Sequence, residues 1–335
     1  MPGRYVLQIR RWHASLLIVA QGMTASHVAH HRLKSASQTK LKWPDSLDFN
    51  AVVTLNDGNT MSVEGFGTFR MAPGNETYTS VRAALDLGYR MIDTAAFYEN
   101  EASVGHAIRD SGIDRSEIFV TSKVFGTDFG YDRAVAAGLL SNEKLGLGYI
   151  NLYLMHSPEG KIVETYDALL ELQKRGVVRS VGVSNFGVPH LEALANYGRC
   201  VPVVNQIEMH PLIFEERKDV VEYCKDKDIL ITAYGSVLSG HDDLLAKADS
   251  IASKYQKTEA QVFLRWGLQE HFQVIPKSTH TTWIYENKDI YDFSLSDTEM
   301  DELNSFQGDL GEYWNPLVWP VDLGDVSHGS ADCPH

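Results

Sequence analysis

What most limits the fold of this chain is a repeat. From Val52 to about Asn304, a short apolar run, a loop and an amphipathic segment follow one another in turn. The runs Val63–Phe69, Arg90–Ala95, Ile118–Lys123, Ile150–His156, Ser180–Asn185, Val201–Glu208, Ile229–Tyr234 and Gln273–Ser278 predict strands. Several are continuous apolar or β-branched stretches, the pattern of parallel strands covered on both faces. Between them, Ile162, Tyr166, Leu169 and Leu170 share one helical face, predicting a helix over Thr165–Lys174 that stops at Gly176. Asn75–Leu87 opens on a polar cap and ends at Gly88. Asn100–Arg109, Asp132–Leu145, His190–Ala195, Arg217–Lys225, Leu244–Tyr255 and Thr258–Leu268 read the same way. Eight strand–helix units in about 250 residues fit a closed (β/α)8 TIM barrel better than an open doubly wound sheet. No GxGxxG follows a predicted strand to seat a pyrophosphate in the open-sheet manner. Val52–Leu55 and Thr60–Val63 flank Asn56-Asp57-Gly58, a hairpin signal expected to close the bottom of the barrel.

The expected organisation is an N-terminal extension over 1–50, disordered or targeting, a barrel with extra helices and a C-terminal substrate loop over 51–320, and a flexible tail over 321–335. Lys and Arg number 30 against 44 Asp and Glu, a net charge of −14 that repels a phosphate backbone and argues against nucleic acid as a partner. Residues 1–44 carry seven Lys/Arg and no acid, leaving −21 on the remainder. Any anionic ligand must therefore be held by a local cluster of donors. The basic start resembles an organelle transit peptide, so a mitochondrial location stands as the alternative to a cytoplasmic one. A disordered extension, or a start at Met23, is the plainer reading, and deletion of 1–44 is expected to leave activity intact. No run reaches the ~18 apolar residues that span a bilayer, and no membrane partner is expected. Cys200, Cys224 and Cys333 form no CxxC pair, which argues against a disulfide framework and against structural zinc. His27, His30 and His31 lie in an acid-free tail, and no metal site is expected.

In a barrel of this type the chemistry gathers at the C-terminal ends of the strands. Those ends offer Asp93 with Tyr98 close behind, then Lys123, His156, Ser184 with Asn185, Gln206, Tyr234, and Lys277 with Ser278. Singly, Asp93 is an ordinary cap and His156 a core imidazole; a full rim of such groups is hard to assign to packing. A free phenol has a pKa near 10, and an adjacent ammonium held by a carboxylate is expected to lower it. A neutral imidazole can donate to a substrate oxygen and fix its geometry. Such a set suits protonation of the alkoxide formed when hydride reaches a carbonyl. The paired carboxylates of glycoside hydrolysis are missing from the fourth and seventh strand ends, where His156 and Tyr234 stand.

Met91–Glu101 (MIDTAAFYENE), Thr121-Ser122-Lys123, Leu154–Pro158 (LMHSP), Val181–Phe186 (VGVSNF), Asn205–Pro211 (NQIEMHP) and Ile275–Ser278 (IPKS) resemble the aldo-keto reductase family in order and spacing, from about Leu55 to Phe306. The resemblance implies NAD(P)H-dependent reduction of a small aldehyde or ketone by a monomer or weak dimer. Tyr98 would donate the proton, Lys123 lower its pKa, Asp93 pair with Lys123 and His156 orient the carbonyl. Gly67 and Thr68 would approach the cofactor through their backbone, and Tyr234 would stack on the nicotinamide. Ser184, Asn185 and Gln206 would bond its carboxamide, and Ser236 would contact the pyrophosphate. Lys277 and Ser278 would hold the adenosine 2′-phosphate, with Glu286 and Asn287 at the adenine. Trp283 stands where the family usually has a phosphate-gripping Arg, so NADPH is expected with weakened discrimination against NADH. Phe69, Phe125 and Ser157 replace indoles that wall the pocket in many relatives, implying a wider apolar mouth. Trp314, and Trp319 beyond it, fall in the variable substrate loop. A cofactor-binding regulatory subunit with little turnover is the alternative function.

Overall fold

The computed structural model describes residues 39–238, 242–306, 315–328 and 333. Among the described residues ten strands run in chain order: β1 Val52–Thr54, β2 Thr60–Ser62, β3 Phe66–Gly67, β4 Met91–Asp93, β5 Phe119–Val124, β6 Ile150–Met155, β7 Val178–Ser184, β8 Val204–Glu208, β9 Leu230–Tyr234 and β10 Gln273–Val274. The helices are α1 Asn75–Asp86, α2 Glu101–Asp110, α3 Tyr131–Leu145, α4 Ile162–Lys174, α5 Val188–Asn196, α6 Pro211–Asp226, α7 Asp242–Leu245, α8 Asp249–Tyr255, α9 Glu259–Gln269, α10 Thr281–Lys288 and α11 Asp297–Asn304.

β3 to β10 form one parallel sheet in sequence order. A parallel bridge from Glu64 to Val274 brings its two edges together, so the fold is the expected (β/α)8 barrel. At that seam Gly67 donates to the Pro276 carbonyl at 3.0 Å, and a Cβ on Gly67 would stand 2.9 Å from the Ile275 carbonyl oxygen. The close approach of the two edges requires glycine there. Strand interiors such as Val120, Leu152, Leu154, Val183 and Ile207 are buried, as parallel strands under helices must be.

The β1–β2 hairpin turns at Gly58, whose φ of 86° favours glycine. Asn56 donates to the carbonyls of Pro202 and Asp228, and Ser180 donates to Asp57 at 2.6 Å. Pro202 and Asp228 precede β8 and β9, and Ser180 lies early in β7; the hairpin therefore closes the N-terminal end of the barrel.

Three expectations are corrected. Residues 39–50, assigned to a disordered or targeting extension, are built into the fold. Lys42 exchanges two 2.9 Å backbone bonds with Thr54, Trp43 stacks on His271 at 5.3 Å, and Phe49 meets Tyr89 edge-on at 5.1 Å. The tail over 321–335 is likewise packed where it is described: Leu323 and Val326 lie against the core, and Cys333 is bonded to Cys200. One disulfide therefore exists in a chain whose cysteine count and spacing argued against a disulfide framework. No helix among the described residues is long and apolar enough to cross a membrane.

Candidate active site

The rim residues meet because β4 and β5 are neighbours and because β8, across the barrel, also points a polar side chain inward. Asp93 ends β4 and Lys123 sits near the end of β5; both are buried. Lys123 Nζ lies 2.6 Å from Asp93 Oδ1 and donates to the Thr94 carbonyl at 2.9 Å and to Tyr98 Oη at 3.2 Å. From β8, Gln206 Nε2 donates to the other carboxylate oxygen, Asp93 Oδ2, at 2.7 Å. One ammonium is thus held by a carboxylate that is itself held. An isolated buried charge would be costly here; this one has three acceptors.

Tyr98 closes a one-turn 3-10 helix, Ala96–Tyr98, directly after β4. Asn100 fixes that turn, accepting from Thr94 Oγ1 at 2.8 Å and donating to the Thr68 carbonyl at 3.0 Å. Thr68 itself is buried, its hydroxyl donating to the Asp93 carbonyl at 2.9 Å. From sequence, an asparagine at a helix start reads as a cap, and nothing there hints that Asn100 ties two strand ends together.

Electrostatics correct one expectation. The Tyr98 phenol is not acidified: burial, then the Asp93 charge and then Tyr234, hold its pKa well above 10. Burial also pushes Lys123 below its ordinary value, while the Asp93 charge pulls the other way. His156, just past β6, is pushed down to about 3, first by burial and then by the Lys123 charge. Its imidazole is neutral at physiological pH, and its Nδ1 is buried with no hydrogen-bond partner among the described residues. The His156 ring meets Tyr98 at 5.7 Å, near perpendicular.

These groups open on a cavity of about 750 Å³. It brings together Gly67, Phe69, Asp93, Tyr98, Phe125, His156, Ser157, Ser184, Asn185, Gln206, Tyr234, Ser236 and Lys277, every one singled out from the sequence. Asn185 stands at a left-handed φ of 63°, tolerated best by glycine and asparagine. In that pose it accepts from Tyr234 Oη at 2.8 Å and donates to the His156 carbonyl at 2.9 Å, linking three strand ends. Ser184 donates to the Gln206 carbonyl at 2.7 Å, and Ser236 to the Ala233 carbonyl at 3.3 Å. Phe97 also lines the cavity and was not foreseen; it stacks on Phe125 at 4.3 Å and faces His156.

Other expected residues do not border this cavity. Ser278 caps the loop before α10, accepting from the His280 amide at 3.0 Å, while Glu286 and Asn287 lie on α10 itself. Trp283, on the same helix, is exposed and packs edge-on against His280 at 4.4 Å. The Trp319 carbonyl pairs with His190 at the start of α5. Trp314 lies outside the described residues.

A nicotinamide dinucleotide suits this donor set, in which hydroxyl and amide groups, the aromatic face of Tyr234 and the Lys277 cation line one cavity. Known proteins agree. The model of the aldo/keto reductase family matches residues 65–307. Glyoxal reductase from Bacillus subtilis is 43% identical, covering 77% of this chain and 93% of its own. The 9,11-endoperoxide prostaglandin H2 reductase of Trypanosoma cruzi is 44% identical over 75% of this chain and 91% of its own. Among solved structures, an aldo-keto reductase from a Medee basin deep-sea metagenome library superposes with a TM-score of 0.75 at 39% identity, covering 80% and 99% of the two chains. A Bombyx mori aldo-keto reductase in complex with NADP gives 0.70 at 33%, covering 78% and 94%.

Proposed function

Because the chain belongs to the aldo/keto reductase family, and is thereby a nicotinamide-dependent oxidoreductase, we propose that it reduces an aldehyde or ketone to the alcohol with NADPH, Tyr98 giving up the proton. The observation that carries this reading is the ammonium of Lys123, 2.6 Å from Asp93 and 3.2 Å from the phenol oxygen, beside a neutral imidazole. When bound, the reduced nicotinamide supplies a hydride to the carbonyl carbon.

The raised pKa keeps the phenol protonated, as a donor must be before the carbonyl oxygen gains charge. Lys123 acts later than a ground-state acidifier would. Negative charge appears on Tyr98 Oη only as its proton leaves, and the ammonium stabilises it there, an interaction stronger in the transition state than before it. Asp93, fixed by Gln206, keeps that ammonium charged and aimed. With Nδ1 of His156 buried, the tautomer carrying its proton on Nε2 can donate to the carbonyl oxygen.

Tyr234 would stack on the nicotinamide, and Ser184, Asn185 and Gln206 would frame its carboxamide. Gly67 and Thr68 would approach the dinucleotide through their backbone, with Ser236 near the pyrophosphate. Lys277 and Ser278 would take the 2′-phosphate, with Glu286 and Asn287 toward the adenine. The NADP complex of the Bombyx mori neighbour supports that choice of cofactor. Phe69, Phe125, Phe97 and Ser157 leave a broad apolar mouth for the substrate. Stopped-flow mixing with NADPH and a panel of aldehydes tests the reading. Tyr98→Phe is expected to keep cofactor affinity within a few-fold and to lose at least ~10²-fold in carbonyl reduction. Unimpaired reduction in that variant removes Tyr98 from the mechanism.

A further inference from the structure

The C-terminal segment is laid across the N-termini of three consecutive helices. α4 has no side-chain cap. Its first amides are satisfied instead from the far end of the chain: Ile162 donates to the Asp322 carbonyl at 2.8 Å, and Val163 and Glu164 to the Leu323 carbonyl at 3.0 and 3.2 Å. Glu164 returns the contact, accepting from the Asp325 amide at 3.1 Å. At α5, the Trp319 carbonyl pairs with His190 at 2.8 Å, and the Leu317 carbonyl oxygen lies 2.0 Å from where a Cβ on Gly187 would stand. At α3, His328 stacks on Tyr131 at 4.4 Å. Arg199 grips Asp167 through two 2.7 Å bonds and donates to the Val326 carbonyl at 2.8 Å. The next residue, Cys200, is bonded to Cys333, with a Cα separation of 5.5 Å.

Both bridged residues are partly exposed, so an external thiolate can reach them. The third cysteine, Cys224, is fully buried, and burial pushes its thiol up to about 12, which leaves it inert. We propose that Cys200–Cys333 is a thiol-exchange site, opened by an external dithiol, that locks the C-terminal strap onto α4 and α5. One thiolate of the dithiol attacks a bridge sulfur and displaces the other as a thiolate. The reductant's second thiolate then attacks its own bonded sulfur and displaces the remaining cysteine as a thiolate. Two electrons pass to the bridge, two protons end on Cys200 and Cys333, and the reductant leaves as a disulfide. The lock matters because α4 and α5 follow β6 and β7, the strands that lead into His156-Ser157 and Asn185. Opening it returns the first amides of α4 to exchange with solvent, behind the rim of the cavity.

The test uses the full chain after mild oxidation, with and without dithiothreitol. Denatured protein is expected to show one titratable thiol before reduction and three after. Hydrogen exchange at Ile162, Val163 and Glu164 is expected to quicken about 10-fold or more on reduction, while α9 keeps its rate. Cys333→Ser without reductant should match the reduced wild type. Three free thiols after oxidation would overturn the proposal. So would α4 exchange that ignores reduction, or a Cys333→Ser variant that behaves as the oxidised chain.

Discussion

Replacing Lys123 with methionine separates what the ammonium does for the fold from what it does for the reaction. The side chain is buried, with Nζ 3.2 Å from Tyr98 Oη. At an effective dielectric near 20, two unit charges at that distance interact by roughly 5 kcal/mol, equivalent to about 10³- to 10⁴-fold in rate. That is the ceiling for stabilising a phenolate as the proton leaves. Removing the cation also strands the Asp93 carboxylate with Gln206 as its remaining side-chain donor, and breaking a buried pair costs about 3–5 kcal/mol of stability. Lys123→Met alone should therefore melt lower and reduce carbonyls more slowly, by up to ~10³- to 10⁴-fold. Adding Asp93→Asn removes the stranded charge, so the double variant should recover most of its melting temperature and none of its rate. Single-turnover NADPH oxidation and thermal unfolding of the same samples read the two effects apart. A Lys123→Met enzyme that folds normally and loses under about 10-fold would refute transition-state stabilisation by this ammonium.

Three further outcomes follow from the structure. Trp283→Arg, on the exposed face of α10, should tighten NADPH by ~1–3 kcal/mol and leave NADH unchanged in fluorescence titration; equal effects on both would detach this helix from the phosphate. Glu64, buried against Tyr89 at 2.7 Å and Tyr291 at 2.8 Å, is pushed by burial from 4.5 up to about 8. Its folded state holds a proton that the unfolded state releases first, so the stability it contributes is full below pH 4.5 and is lost as pH rises to 8. Glu64→Gln should thus gain on wild type by up to about 4–5 kcal/mol across that window, and a constant difference in denaturant midpoints would refute it. Relative to a chain starting at Gln38, one starting at Asp45 lacks the Lys42–Thr54 bonds and the Trp43–His271 stack, and a lower melting temperature is expected; equal midpoints would make that packing incidental.

All eight barrel strands and the chain order of the rim were legible because both are local. An apolar run of fixed length predicts a strand, and the residue after it must stand at the rim once the barrel closes. Boundaries shifted where closure decides them: Val63–Phe69 reads as one strand, yet only Phe66–Gly67 pairs with β4, the preceding residues turning to bridge β10. Weakly amphipathic α10 carries no periodicity from which to predict its range, and α11 has few apolar residues to mark it beyond Met300 and Leu303.

What the sequence hid is set by contacts between distant segments. Cys200 and Cys333 are 133 residues apart, and no spacing rule joins them; the capping of α4 by Asp322 and Leu323 depends on the same return of the chain. The phenol is the sharper case. Reading Tyr98 and Lys123 as a pair gives the sign of one interaction and says nothing of solvent. Once folded, burial raises the phenol's pKa and the Asp93 carboxylate raises it again, so a partner chosen for its effect on lysine also acts on tyrosine. The ammonium must therefore be judged by the charge present when the proton departs, and a ground-state titration of Tyr98 would miss what Lys123 contributes.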